Sequence, residues 1–225
     1  MKFSGLQKTS LIDYPNNVAS VLYTPGCNLR CPFCHNWRIV VDPEPPFLQE
    51  IEAIKILESR KKYIDAVVIT GGEPTMYQDL PKFIEKLEKK GFRIKLDTNG
   101  FYPKILKKCL PFVDYVALDI KTTLDKYSIL GANTTTDFLC TVNILKRGKI
   151  PYEFRTTIVP GLITFEDVSQ MGELLTGARK FVLQQYVSED TLDKEYGKVE
   201  PYSVEAIKKF AKIFKKFVEN TSLRL

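Results

Sequence analysis

Short runs rich in β-branched and aromatic residues recur along the chain, and a helical pattern follows each one. The runs are residues 18–23, 66–70, 93–97, 115–119, 152–158 and 181–184. Helical spacing of apolar residues covers 47–61, 79–90, a short stretch around Ile105, 136–147, 165–175 and 204–218. Such alternation predicts an α/β fold with parallel strands joined by right-handed helical crossovers. At 225 residues the chain is short for a closed eight-unit barrel, which takes about 250. A curved, incomplete barrel of six β/α units fits better, as a single domain over 1–225. Residues 1–16 form a short N-terminal extension packed on that barrel, with Phe3 to Tyr14 expected as a small hairpin or strand outside it.

In β/α architectures the chemistry sits on loops after the C-terminal ends of strands. The unusual residues of this chain fall there. Cys27, Cys31 and Cys34 follow the first strand, and Gly71-Gly72-Glu73-Pro74 follows the second. Asp97-Thr98-Asn99-Gly100 and Asp119-Ile120-Lys121 end the next two. One shared site is the prediction.

The three cysteines have the spacing C-x3-C-x2-C. Thiolates are the preferred ligands of iron–sulfur clusters, and a closed cubane takes four. A loop offering three leaves one metal corner open, which is what separates a catalytic metal site from a structural one. The alternatives are three structural thiols, or a zinc site completed by His35. Adjacent Cys34 and His35 would have difficulty reaching one tetrahedral ion, and no second cysteine pair stands at finger spacing. Cys109 and Cys140 lack such spacing and read as packing residues. Taken singly, the two glycines mark a turn or a close backbone approach, Asp97 to Gly100 a strand-ending turn, and Asp119 with Lys121 a surface ion pair.

Five cysteines, three of them within eight residues, do not resemble a secreted disulfide framework. The N-terminus carries no long apolar run, and no stretch approaches the roughly 18 apolar residues of a membrane span. A cytoplasmic, reducing and oxygen-poor setting is therefore expected, without membrane association. The net charge of +6 owes much to Lys208, Lys209, Lys212, Lys215 and Lys216. These lie opposite Ile207, Phe210, Ile213, Phe214 and Phe217 on one helix. A solvated helix face is the preferred reading, with no nucleic-acid partner.

The run Thr24-Pro25-Gly26-Cys27-Asn28-Leu29-Arg30-Cys31-Pro32-Phe33-Cys34-His35-Asn36 closely resembles the cluster loop of radical S-adenosylmethionine (radical SAM) enzymes. With the GGE, DTNG and D-x-K elements, and the opening Ser4 to Pro15, the chain resembles the activating enzymes of glycyl-radical proteins. It is most similar to activators of anaerobic ribonucleoside-triphosphate reductase, and also to pyruvate formate-lyase activators. The likeness extends over nearly the whole chain, without the cysteine-rich insert of activators that carry a ferredoxin-like domain.

The resemblance implies a partial (β/α)6 barrel of the radical SAM type. It implies a 4Fe–4S cluster on Cys27, Cys31 and Cys34, with S-adenosylmethionine chelating the open iron. Backbone of Phe33, Cys34 and His35 would meet adenine, Gly72 and Glu73 the methionyl amino end, and Lys121 the carboxylate. Asp97 and Thr157 would line the same pocket, Arg155 would lie near the reacting segment, and Gln185 would stand where a relative keeps a histidine. Asp97 and Asp119 side chains, with carbonyls of Thr98 and Ala117, would hold a monovalent cation. A flavodoxin or ferredoxin would reduce the cluster, and cleavage of the sulfonium would give a 5′-deoxyadenosyl radical. That radical would take hydrogen from a glycine of a partner glycyl-radical enzyme, expected to be anaerobic ribonucleoside-triphosphate reductase. The alternative is a small-molecule or peptide substrate. No acid–base pair is required, so a chain whose only histidine is His35 is at no disadvantage.

Overall fold

The structure, a computed structural model, describes residues 1–225. Strands β1 (Lys2–Phe3) and β2 (Gly5–Ser10) precede β3 (Ala19–Thr24), and the cysteine loop follows. Next come α1 (Trp37–Val41), β4 (Leu48–Gln49), α2 (Glu50–Ser59), β5 (Ala66–Gly71), α3 (Leu80–Lys89) and β6 (Arg93–Thr98). The chain continues through α4 (Pro103–Cys109), β7 (Tyr115–Asp119), α5 (Thr136–Arg147), β8 (Tyr152–Ile158) and α6 (Asp167–Leu175). It ends with β9 (Ala178–Gln185), α7 (Val204–Phe214) and β10 (Val218–Arg224).

The main sheet runs in the order β10-β9-β8-β7-β6-β5-β3-β2. Only β2 is antiparallel to its neighbour. Spatial order follows chain order, so every crossover steps the same way. Right-handed crossovers then put the helices on one face and curl the sheet around the other. β2 and β10 do not pair with each other, so the barrel stays open. No helix is long and apolar enough to cross a membrane.

Helices pack outside by apolar stripes. In α3, Leu80, Phe83, Ile84 and Leu87 recur at helical spacing and are all buried. In α7, Ile207, Phe210, Ala211 and Phe214 are buried, while Lys208, Lys209, Lys212, Lys215 and Lys216 stay exposed on and just beyond its outer face. Ser203 caps that helix by accepting from the Ala206 amide. Phe210 stacks on Phe165 at 4.1 Å between ring centroids and meets Tyr202 edge-on at 5.2 Å.

The inner face divides in two. β3 and β5 contribute Ala19, Val21, Ala66 and Val68, small apolar residues packed with Tyr14. β6, β7 and β8 contribute charge. Glu153 is fully buried and accepts from both Arg224 (2.7 and 3.0 Å) and Tyr115 (3.0 Å), with the Lys180 ammonium 3.1 Å away.

Three departures from the sequence expectation come from strand pairing that it did not include; separately, β9 starts early, at Ala178. The last helix stops at Phe214 instead of residue 218, and Val218–Arg224 becomes β10, a seventh parallel strand on β9. The spacing of Phe214, Phe217 and Val218 imitates a continuing helix, and the strand itself is polar because it forms a sheet edge. At the other end, β2 joins the main sheet beside β3, with Gly5 opposite Tyr23, instead of lying outside it. The helix expected from residue 47 begins at Glu50, because Leu48 and Gln49 pair with β1, and Glu52 reaches back to the Gln49 amide at 3.1 Å.

Phe210→Ala should lower unfolding free energy by about 3–5 kcal/mol, since it leaves a void under two aromatic rings. Lys208→Ala, on the solvated face, should change it by less than about 0.5 kcal/mol. Urea unfolding followed by circular dichroism checks both.

Candidate active site

The cysteine loop is tied down by neighbouring elements. Gly26 N donates to the Ile39 carbonyl at 2.7 Å, and Arg30 N to the Leu130 carbonyl at 2.8 Å. The Tyr77 hydroxyl donates to the Pro25 carbonyl at 2.6 Å. From the segment after β9, Leu192 N donates to the Cys34 carbonyl (3.2 Å) and Asp193 N to the Pro32 carbonyl (2.9 Å). The glycine loop lies directly against it, with Gly72 N on the Thr24 carbonyl and Glu73 N on the Gly26 carbonyl, both at 2.8 Å. A Cβ at position 72 would stand 1.7 Å from the Gly26 carbonyl oxygen, and one at 71 would meet Thr24 N at 2.5 Å. Two bare residues are what allow these backbones to touch.

A cavity of about 480 Å³ opens at the C-terminal end of the sheet, within the size range of cofactor pockets. Cys27, Cys31 and Cys34 all line it, with Phe33 and His35 of the same loop. Gly72, Asp97, Thr98, Asp119, Lys121 and Thr157 line it from the successive strand ends. These residues come together as the sequence predicts.

Three expected residues do not reach the cavity. Glu73 is 1 % exposed and lies behind the wall, where its carboxylate accepts from Thr75 N (2.9 Å), the Thr98 hydroxyl (2.7 Å) and Asn99 N (2.6 Å). It joins the ends of β5 and β6 instead of meeting a ligand. Gln185 turns its amide to the Tyr202 carbonyl at 3.0 Å, and Gln184 lines the cavity in its stead. Strand alternation explains the exchange: Gln184 is paired with Thr157, so the two share a face. Ala117 is buried in the ladder between Asp97 and Glu153 and does not line the cavity.

Five charges alternate across the strand ends. Lys95 contacts Asp97; Arg155 lies 3.1 Å from the other Asp97 oxygen and also grips Asp119; Lys121 completes the row 3.2 Å from Asp119. Burial opposes ionisation of both carboxylates and is the largest single influence, but Arg155 with Lys95 at Asp97, and Arg155 with Lys121 at Asp119, together outweigh it. Both carboxyls are held below the usual range. Burial likewise disfavours charge on Lys121, but Asp119 raises its pKa, and the three cysteine sulfurs add to this once they are thiolates. Burial pushes the Cys27 thiol up to about 11 and Cys31 up to about 12, and raises Cys34 as well. Such thiols stay protonated at neutral pH until a metal displaces the proton.

Residues 21–175 match the Radical SAM superfamily. The chain belongs to that superfamily. A Methanocaldococcus jannaschii protein provisionally named a glycyl-radical enzyme activating enzyme is 31% identical, covering 98% of this chain and 95% of its own length. The pyruvate formate-lyase-activating enzyme of Staphylococcus aureus is 28% identical over 81% of this chain and 79% of its own. Among solved structures, QueE from Escherichia coli covers 99% of the chain and 93% of its own at a TM-score of 0.58 and 16% identity. TYW1 with a lysine-pyruvate adduct bound covers 88% of this chain and 73% of its own at 0.63 and 21%. The two structures bear on the fold alone.

As a radical SAM enzyme the chain uses a 4Fe–4S cluster and S-adenosylmethionine, and its residues fit both. The three thiols face one cavity, yet no three of its histidine, cysteine, aspartate or glutamate side chains converge as one ion would need. A cubane takes one thiolate per iron and keeps them apart. Lys121 has one carboxylate for three N–H groups, which leaves donors for a ligand carboxylate at the cavity. The expected monovalent cation does not fit. Both carboxylates of its ligand set are already paired with lysine or arginine, and Ala117 lies inside the ladder.

Sequence reading missed Lys95, Asn99 and the strap at Leu192 and Asp193. Asn99 donates to Cys27 Sγ at 3.5 Å and to Asn28 Oδ1 at 2.7 Å. Lys95 was legible in principle, because it stands two residues before Asp97 and so shares its face. His35 donates from Nε2 to the Val187 carbonyl at 3.0 Å and lies parallel to Tyr186, so its outer end is engaged structurally.

Gly72→Ala should force the two loops apart and cut iron incorporation to a small fraction of the parent's. Iron and sulfide analysis after anaerobic reconstitution reads this, and an unchanged far-ultraviolet circular dichroism spectrum separates it from unfolding.

Proposed function

We propose that this radical SAM enzyme is an activase that installs a radical on a glycine of a partner glycyl-radical enzyme. The observation that carries the reading is a trio of thiols, Cys31 buried and Cys27 and Cys34 half-buried, lining one cavity at the mouth of a barrel left open on one side. The likeness to the Methanocaldococcus jannaschii protein over nearly its whole length supports the same reading. Beside the mouth, the turn that carries Asp13 to the cavity bears Leu11 and Ile12, 74% and 84% exposed. An apolar pair of this kind suits contact with a protein substrate.

In this reading Cys27, Cys31 and Cys34 hold the cluster. When bound, the cluster and S-adenosylmethionine supply a 5′-deoxyadenosyl radical, which takes a hydrogen atom from the substrate carbon. The remaining work is position and exclusion of water, so no proton-transferring residue is needed. Lys121 meets the methionyl carboxylate, and Asp119 fixes the direction of its ammonium. Backbone of Phe33 to His35 and of Gly72 contacts the nucleoside and amino ends. Thr157 and Gln184 form the far wall. Arg155 braces Asp97 and Asp119 beneath the ligand. The finer assignment is anaerobic ribonucleoside-triphosphate reductase as partner, with flavodoxin or ferredoxin as donor in the cytoplasm. It rests on the likeness of residues 4–15 and 24–36 to activators of that enzyme.

Anaerobically reconstituted protein, given dithionite and S-adenosylmethionine, should yield 5′-deoxyadenosine and methionine. With anaerobic ribonucleoside-triphosphate reductase added, a glycine-centred EPR doublet should appear on that partner. Cys31→Ala should abolish both. If 5′-deoxyadenosine forms while glycyl-radical partners stay EPR-silent, the substrate is a peptide or small molecule and the activase reading falls. Lys121→Ala should leave the cluster spectrum intact and weaken S-adenosylmethionine binding roughly ten- to a hundredfold, the effect of losing a charged hydrogen bond. Isothermal titration reads the change, and an unaltered affinity removes Lys121 from the site.

A further inference from the structure

We propose that the Lys95 ammonium is a built-in substitute for a monovalent cation, making Lys95 a positioning residue for the S-adenosylmethionine site. Lys95 lies in the middle of β6 and is 1 % exposed. A lysine is almost never so buried without a paired charge. Its one hydrogen-bond partner is an Asp97 oxygen two residues along the same face. The other Asp97 oxygen lies 3.1 Å from Arg155 Nη2, whose Nε holds Asp119, and the second Asp119 oxygen is left to Lys121 at 3.2 Å. The direction of Lys121 is therefore set through a row of contacts that starts at Lys95.

Charge counting points the same way. Lys95, Arg155 and Lys121 are three cations set against Asp97 and Asp119, two carboxylates. Within this row the one excess positive charge favours an anionic ligand group at Lys121, while Glu73 and Asp13, outside the row, accept from neutral donors. A bound sodium or potassium ion would add a fourth cation and would need oxygens that are already taken. Tethering the charge to the backbone also removes any dependence on the salt around the protein. Removal of the lysine side chain reverses this: it opens a small polar void against an unneutralised Asp97 oxygen, which is a place for a small cation and water.

The inference rests on the proposed function only in taking Lys121 as the residue that faces S-adenosylmethionine. The test uses anaerobically reconstituted parent and Lys95→Ala proteins in potassium, sodium or choline chloride at one ionic strength. Melting temperature and S-adenosylmethionine affinity are the readouts. The parent should give the same values in all three salts. Lys95→Ala should lose about tenfold or more in affinity in choline chloride, and recover most of it, with a rise in melting temperature, in potassium or sodium chloride. Lys95→Met, which fills the void without charge, should lose affinity in every salt and regain none.

Higher parent affinity or melting temperature in potassium or sodium than in choline overturns the proposal. So does parent-like binding by Lys95→Ala in choline. If Lys95→Ala fails to fold in any salt, the parent comparison and Lys95→Met decide. No protein substrate enters these measurements, so a failed activase reading would leave their outcome untouched.

Discussion

Arg155 is the interaction on which the site depends. It stands on β8 and spans to Asp97 on β6 and Asp119 at the end of β7, gathering three strand ends with one planar group. A guanidinium can do this because its donors are fixed in a fork, whereas an ammonium offers only a point charge. Buried ion pairs of this kind contribute little net stability, since desolvation offsets attraction. Their effect is geometric: each charged side chain of the row below the cysteine loop is held by an opposite charge. Deeper in the barrel Glu153 repeats the device with Lys180 and Arg224, which attaches the last strand to the interior.

The glycine and cysteine loops show how backbone contact supplements this. Glu73, Gly71 and Gly72 look in sequence like ligand-binding residues. In the structure most of their polar groups are spent on other loops: Glu73 on the ends of β5 and β6, Gly72 N on Thr24. Removing Cβ atoms brings the second strand end within hydrogen-bond reach of the first, which seats the glycine loop against the cysteine loop. Backbone and charged tips thus share the cavity wall with Leu29, Phe33, Val40 and Ile120.

The six β/α units were legible because buried strands and amphipathic helices have different periods, and strands β7 and β8 and helix α5 fall at the residues expected. The cysteine trio was legible because its spacing has few other uses. β10 was not, because an edge strand needs no apolar face and its first residues continue the helical spacing of α7. Gln184 was missed in favour of Gln185 because a one-residue choice on a strand reverses the face, and only pairing with Thr157 settles it. The cation expectation overlooked Lys95, two residues before Asp97 on the same strand, and missed Arg155 for a non-local reason: it lies on another strand, and nothing in its sequence neighbourhood shows that it meets the same carboxylate.

The hydrogen bonds that grip the cysteine loop from α1, the turn at Leu130 and the strap at Leu192 and Asp193 involve main-chain groups, not sulfur. Zinc fingers, by contrast, order their ligand loops only when metal arrives, so that chelation and folding are one event. Here the loop's course is set by contacts from three other elements as well as by any bond to iron, so its geometry is fixed more than once over.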